Sequence, residues 1–376
     1  MVQAGFWCAA MAYWQPLSSP IVVMVAIRHS VVIGFGTVLT LSGESAPERA
    51  RTHRLRTLDP VSTPSAASSA PAPDAPVDPL AALAELPGVA DTVADTRRAV
   101  DRLYGHRVMR RRAAEVTSES ALRGARASAA LEGADWPLEE VRRRSDFGTD
   151  PEARSIGAAL RINAEAGQLL GTWRHSPLQV LARLHLLAAG DQDPSAGRPR
   201  QAGEPVADRF GVTLPVAEEA HGSEPAPAGT VAFAVPPTPG ADEVAARLEG
   251  LAGLLLARGG GGRKHPNVRA APALVVAAVV HGELLTLQPF TAHNGLVARA
   301  AQRIVLIAEG MDPQAICPFE VGFAELGTEA YRNALGGYAS GTAEGMAAWI
   351  THCGAALCLG VRESTAVCEA MQRGMA

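Results

Sequence analysis

The stretch Gln288-Pro289-Phe290-Thr291-Ala292-His293-Asn294-Gly295-Leu296-Val297-Ala298-Arg299 sets an amide, an imidazole and a guanidinium into one short loop between two apolar runs. The first N–H groups of a helix have no intrahelical partner and point outward with the positive end of the macrodipole. A helix opening at Asn294-Gly295 can therefore cradle an anion such as a phosphate. Arg299 lies about one turn further on and can close over the same charge. A plainer reading stays open beside this one: a capped helix with a solvated arginine. His293 is the imidazole of the loop and so its candidate base, the alternative being that it only fills the anion pocket.

Other reactive side chains carry weaker signals. Cys8, Cys317, Cys353, Cys358 and Cys368 are odd in number and scattered, which makes no disulfide framework and fits a reducing interior. Cys353, Cys358 and Cys368 with His352 invite a zinc reading. Residues five apart on a helix point about 140° away from one another, and no Cys-x-x-Cys pair is present, so buried free thiols and no metal are expected. His281 and His185 stand on apolar faces, where an imidazole is more often a core residue than a ligand. Arg110-Arg111-Arg112 and Arg142-Arg143-Arg144 read as solvated helix faces. The glycines before Lys264 lack the ending of a phosphate loop, and Leu39 stands where a dinucleotide loop begun at Gly34 would need its third glycine.

These groups must be positioned by a chain of 376 residues with 34 Lys+Arg against 38 Asp+Glu. The formal charge of −4 gives no electrostatic case for a nucleic-acid partner. Hydrophobic residues make up 47% but aromatics only 5%, the excess being alanine, which points to closely packed helices. Arg28 and His29 split the apolar N-terminal stretch into runs too short to cross a bilayer, so no membrane partner is expected. From Met24 onward, Arg28, an apolar run and Ser45-Ala46 have the outline of a secretory signal; the other reading is an upstream extension of a cytoplasmic protein. Val61 to Pro76 is almost wholly Ser, Ala and Pro and reads as a linker, which makes 1–76 a disordered or mis-called N-terminal region.

Beyond the linker the periodicity is helical. It predicts helices over Leu80 to Leu86, Val93 to Tyr104, and Thr117 as N-cap to Glu132, where Gly133 can take the left-handed stop. Another begins near Asp135-Trp136-Pro137, followed by Ala153 to Trp173 and Leu178 to Ala189. Gly190 to Gly229 is rich in Gly, Pro, Asp and Glu and is either a functional loop or disordered. Gly229 to Pro237 alternates around Val231, Phe233 and Val235, a short strand or hairpin arm. Helical patterning resumes over Ala241 to Arg258, Ala271 to Leu287, Gly295 to Glu309 and most of Thr328 to Arg373.

The loop resembles the signature of Fic (Fido-fold) proteins, His-Pro-Phe-x-(Asp/Glu)-Gly-Asn-Gly-Arg-x-x-Arg, through Pro289, Phe290, Asn294, Gly295 and Arg299. Ser128-Ala129-Ala130-Leu131-Glu132-Gly133 resembles the (Ser/Thr)-x-x-x-Glu-(Gly/Asn) pattern of that family's autoinhibitory helix, and it precedes the loop as in the self-inhibited class. Leu184-His185, Gly197-Arg198-Pro199-Arg200 and the strand before Pro236-Pro237 look like the family's helix, its Gly-x-x-Arg turn and its target-positioning flap. The resemblance implies an all-α fold: a Fic-like helical bundle with a short β-hairpin flap carrying Val231, Phe233 and Val235. It places the N-terminal helical region with the inhibitory helix in 77–175 and the core in 176–376.

Such proteins typically transfer AMP from ATP to a hydroxyl of a target protein, so the implied ligand is ATP or another nucleotide, and a protein target would dock through the flap. Four positions depart from the pattern, one of them His293, which stands where the family has glycine. Gln288 replaces the histidine that acts as general base, and an amide has no titrating lone pair near neutral pH. Ala292 replaces the carboxylate that holds Mg²⁺, which is therefore not expected here. Leu296 replaces the first phosphate-binding arginine. What remains is Asn294, Gly295 and Arg299 as the nucleotide-binding skeleton, with Ser128, Glu132 and Gly133 as the inhibitory element. By resemblance Glu132 should meet Arg299. The expected function is a nucleotide- or phosphate-binding regulatory protein with a degenerate AMP-transferase motif. Two alternatives stay open: an active protein nucleotidyltransferase using an altered mechanism, with His293 as substitute base, and a helical scaffold with a vestigial site.

Overall fold

A computed structural model describes residues 78–148, 150–190, 193–207, 238–259 and 270–374. The Ser/Ala/Pro linker, the stretch 260–269 and the flap residues Val231, Phe233 and Val235 lie outside these residues.

Among the described residues the regular structure is helical throughout. After a 3-10 turn over Ala81–Glu85 come α1 (Val89–Tyr104), α2 (Met109–Leu131), the short α3 (Leu138–Arg143) and α4 (Pro151–Ala166). A further 3-10 turn, Gly167–Leu169, leads into the single turn α5 (Leu170–Trp173), then α6 (Pro177–Ala189) and α7 (Ala241–Gly259). The second half holds α8 (Ala273–Leu287), α9 (Asn294–Ala308), α10 (Phe319–Leu326), α11 (Thr328–Ser340) and the long α12 (Ala343–Gln372).

The centre is the hairpin α8–α9. Every residue from Leu274 to Leu287 is buried, and so is every residue from Asn294 to Leu306. With apolar residues on every side, α8 has no face to offer water and lies inside, with the other helices as its coat, and the few polar groups of α8 and α9, such as Glu283, Arg299 and Arg303, are taken in with them. α9 packs on α8, α4 and α6, while α12 runs along α1, α10 and α11 and also touches α8. Where α10 crosses α12 the backbones nearly touch. A Cβ on Gly322 would meet the Ala356 carbonyl at 1.9 Å, and one on Gly360 would meet the Pro318 carbonyl at 2.8 Å, so glycine sets the interhelical distance there.

Local chemistry explains several helix ends. The Asp150 side chain accepts from Ala153 N at 3.0 Å with Pro151 in the first turn, and Thr342 Oγ1 accepts from Gly345 N at 3.1 Å. α2 stops as its sequence predicts: Gly133 has φ 93°, and Ala134 N donates to Ala129 O at 3.0 Å, a Schellman closure that leaves Glu132 projecting from the cap.

Other boundaries differ from expectation. Thr117 is no N-cap: α2 begins at Met109, and the Thr117 hydroxyl reaches sideways to the Gln314 carbonyl at 3.0 Å. A kink at Arg112, with φ −125° and ψ 26°, separates the first turn of α2 from the rest. The expected helix from Ala153 to Trp173 is interrupted at Gly167, and Leu80 to Leu86 forms only a 3-10 turn tied down by Asp78. α10 is a helix that the periodicity did not show, opening directly after Pro318.

Candidate functional site

The loop between α8 and α9 is held in a strained shape by the groups around it. Gln288 ends α8 with φ 43° and His293 precedes α9 with φ 61°, both in the left-handed region that costs a non-glycine residue about 1–3 kcal/mol. Arg200 supplies much of the restraint. Its Nε donates to the Gln288 carbonyl at 2.8 Å, its buried guanidinium also reaches the carbonyls of Leu287 and Pro239, and its backbone N–H donates to Pro289 O at 2.8 Å. At the other end Asn294 clamps Phe290: Oδ1 accepts from its N–H and Nδ2 donates to its carbonyl, each at 2.9 Å. The Asn294 amide is thus turned into the loop, where it shapes the turn. Ala207 N donates to Thr291 O at 2.7 Å and Ser195 Oγ lies 2.9 Å from Thr291 Oγ1, so the segment after α6 lines the loop from outside.

Glu132 and Arg299 meet at the start of α9. The Glu132 carboxylate accepts from the Arg299 guanidinium at 2.5 Å; the same guanidinium donates to Ser128 Oγ at 2.7 Å and to the Ser128 carbonyl at 3.1 Å. Ser128 and Glu132 lie one helical turn apart on α2, so one face of that helix supplies all three contacts. Burial works against the arginine charge, but Glu132 and Tyr331 outweigh it and its pKa lies above the ordinary arginine value. The carboxylate sits directly over the helix start, since a Cβ on Gly295 would lie 2.0 Å from Glu132 Oε1 and 3.1 Å from the Arg299 guanidinium. A cavity of about 140 Å³ remains beside it, lined by Glu132, Gly133, Ala134, Ala207, Ala292 and His293 among others.

Gln288 is 2% exposed, and its Oε1 accepts from the Thr238 hydroxyl at 3.3 Å. Leu296 is 2% exposed and belongs to the apolar core. His293 lines both the small cavity and an outer groove of about 670 Å³ that also involves Asp146, Arg154 and Asp193. Its ring lies 6.5 Å from that of His185, which stacks on Phe290 at 4.1 Å and 10°. His185 Nδ1 accepts the Gly197 N–H at 2.9 Å, so the ring is neutral with its proton on Nε2. Burial, with help from His293, lowers its pKa to about 4. His185 is therefore a packing residue under the loop. His281 is fully buried as well, its Nε2 2.6 Å from the Tyr331 hydroxyl.

A separate groove of about 720 Å³ lies along the first half of α2, but its charged groups are already paired, Arg112 with Glu115, Arg123 with Glu119 and Arg142 with Glu139. Among the described residues no cluster of His, Cys, Asp and Glu can hold a metal ion, and Cys317, Cys353, Cys358 and Cys368 are free thiols. No helix there is long and apolar enough to cross a membrane.

No family model matches the sequence, and no curated protein does. The fold is another matter: a Fic family protein from Desulfovibrio desulfuricans G20 superimposes over 73% of this chain and 74% of its own, with a TM-score of 0.51 at 21% identity. The chain has a Fic fold. Two further Fic structures are similar at lower TM-scores: a Fic domain containing signaling protein from Bacteroides thetaiotaomicron VPI-5482, at 0.47 with 13% identity over 74% of this chain and 97% of that one, and Fic-1 of C. elegans (residues 134–508), at 0.46 with 16% identity over 78% and 82%.

Within this Fic fold the sequence pattern pointed to Glu132, Gly295 and Arg299, which the tertiary structure brings together. It did not point to Arg200 as the clamp on the loop carbonyls, nor to Tyr331 behind Arg299. Arg200 was visible only as the end of a Gly-x-x-Arg turn, and Tyr331 only as one aromatic in a late helix.

Proposed function

We propose that this Fic-fold chain is a nucleotide- or phosphate-binding regulatory protein whose anion pocket, at the start of α9, is gated by Glu132. The observation that carries the reading is the placement of the Glu132 carboxylate against Gly295 and on the Arg299 guanidinium, where an incoming phosphate oxygen would find its partners. A carboxylate held there mimics the ligand and must leave before the ligand enters.

AMP transfer is a poorer fit to the same residues. The Gln288 amide cannot take a proton from a target hydroxyl, the Ala292 methyl offers Mg²⁺ no oxygen ligand, and Leu296 contributes apolar packing where a cation would be needed. Nothing in the Ala292 environment fits a resident Mg²⁺.

The test is to titrate the full chain and its Glu132→Gly variant with ATP, following the unfolding midpoint and the heat of binding. The variant should bind and be stabilised by about 2.7 kcal/mol when ATP reaches a hundred times its Kd, while the wild-type chain responds weakly. Equal affinity in the two proteins removes Glu132 as the gate. Transfer of labelled AMP to protein by the variant would favour the nucleotidyltransferase instead.

A further inference from the structure

The anion pocket at the start of α9 is short of positive charge. Arg299 brings one guanidinium, and the first N–H groups of the helix add roughly half a unit charge. A terminal phosphate or a sulfate carries up to two negative charges. The other side chains of the first turn do not make up the difference: Leu296 lies in the apolar core, and the Asn294 amide is spent on both backbone groups of Phe290. Among the described residues that line the cavity of about 140 Å³ beside Glu132 there is no lysine or arginine, and His293 is the only one that can become a cation.

His293 stands where that charge is needed. It precedes α9 directly with φ 61°, and its ring does not fold back to cap the helix. The small cavity and the outer groove of about 670 Å³ share it as a common wall, together with Pro151 and Ser155. The charged and titratable groups around it come from several elements. α2 presents Glu132, and α4 presents Glu152, Arg154 and Arg161; Asp146 lies in the turn before α4 and Asp193 in the turn after α6. His185 of α6 is 6.5 Å away ring to ring and is held neutral by burial, with a pKa of about 4. Glu152 accepts from Trp136 Nε1 at 3.1 Å, Arg161 Nε donates to the Leu187 carbonyl at 2.9 Å, and Asp193 accepts from the Ser195 hydroxyl at 2.7 Å. Arg154 lines the groove but not the cavity.

We propose that His293 is the second cation of the anion pocket: as imidazolium it binds, together with Arg299, the doubly charged oxyanion group that displaces Glu132. This inference rests on the reading of the site as a Glu132-gated anion pocket. A guanidinium, an imidazolium and a helix start together balance a dianion, and the ring N–H groups offer it charge-assisted hydrogen bonds. The role is the opposite of a base, which must be neutral to accept a proton, whereas a cation must already hold it. The sign of the pH dependence follows. A bound dianion favours the protonated ring, so binding strengthens as pH falls through the ordinary histidine range near 6.5 and fades above it.

Sulfate is the probe, because it stays doubly charged between about pH 5.5 and 8 and leaves the protein as the titrating partner. Its affinity for the full-length Glu132→Gly chain, measured by calorimetry, should rise about tenfold from about pH 8 to about pH 5.5, the gain delivered when binding raises the imidazole pKa by about one. NMR of the His293 ring in the same chain should show that rise directly on adding sulfate. Adding His293→Asn, a residue that tolerates the left-handed backbone, should flatten the profile to within about twofold and leave binding weak, whereas His293→Lys should flatten it and keep binding tight. Arg154→Ala should leave the slope intact. Pyrophosphate and ADP at about pH 6 should each lose about tenfold on adding His293→Asn; the tighter of the two names the source of the oxyanion, and loss by neither overturns the proposal. A flat sulfate profile in Glu132→Gly, an unmoved His293 titration, a slope that survives His293→Asn or one that vanishes with Arg154→Ala overturns it too. Binding without pH dependence removes His293 alone, while no sulfate binding at any pH, in the His293→Lys chain as well, brings down the gated-pocket reading itself.

Discussion

One turn apart on α9, Arg299 and Arg303 each reach a glutamate, and the two pairs are built differently. Arg303 grips Glu320 of α10 through Nε at 3.1 Å and a terminal nitrogen at 2.6 and 2.8 Å, with its guanidinium 5.4 Å from the centre of the Phe319 ring. Both side chains are almost fully buried, 3% and 1% exposed. Arg299 holds a single oxygen of Glu132, shares itself with Ser128, and faces a carboxylate that is 9% exposed and borders a cavity. A sealed bidentate pair fixes how α9 meets α10. A one-oxygen pair at the edge of a cavity can be undone, because water or another anion can reach both partners once they separate.

The largest test of that contrast is removal of each acid. Glu320→Ala leaves a buried unpaired guanidinium and should cost about 3–5 kcal/mol in urea unfolding, enough to unfold a marginal domain. Glu132→Ala should cost clearly less, since both Ser128 oxygens remain on Arg299 and the cavity admits water. Equal losses would erase the distinction.

A second test uses the two glycines that let the pairs close. A Cβ on Gly124 would lie 2.6 Å from the Arg303 guanidinium and 2.8 Å from the Glu320 carboxylate, two groups locked on each other. A Cβ on Gly295 would strike Glu132 Oε1 at 2.0 Å, and that carboxylate has a cavity to swing into. Gly124→Ala should therefore destabilise by about 1–3 kcal/mol, whereas Gly295→Ala stays within about 1 kcal/mol and weakens the Glu132 contact. The reverse order would mean that Glu132 is the more tightly held acid.

The last test is the pH response. His185 under the loop, His281 behind Arg299 and His352 in the aromatic block are held neutral by burial, His185 and His352 with pKa values of about 4. Each lies below its unfolded value near 6.5, so the unfolded chain takes up these protons first as pH falls. Their contribution to stability is complete above pH 6.5 and declines from there toward pH 4, by up to about 1.4 kcal/mol per pH unit for each group. Urea midpoints at pH 7.5 and 5.5 check the slope, and His281→Gln should flatten it.

Much of the helical framework was legible because burial writes itself into composition. The apolar run up to Val280 in α8 and the left-handed stop at Gly133 each correspond to a single local cause. Thr117 misled for the same reason: a hydroxyl before an apolar run looks like a cap until a neighbouring loop supplies the Gln314 carbonyl. α10 stayed hidden because eight residues carry too little periodicity to register.

The sequence by itself determined which side chains stand in the loop: an amide at 288, a methyl at 292, an apolar residue at 296 and Arg299, with an acidic residue at the end of an earlier helix. Residue type is local information, and the lack of a titrating group at 288 and of an oxygen ligand at 292 follows from it directly. Only the tertiary structure decided that Glu132 comes to rest over Gly295, that Arg200 pins the loop, and that Tyr331 stands behind Arg299. Those contacts join residues far apart along the chain. They are made because burying α8 and α9 leaves one arrangement in which the coating helices satisfy the charges that the core has taken out of water.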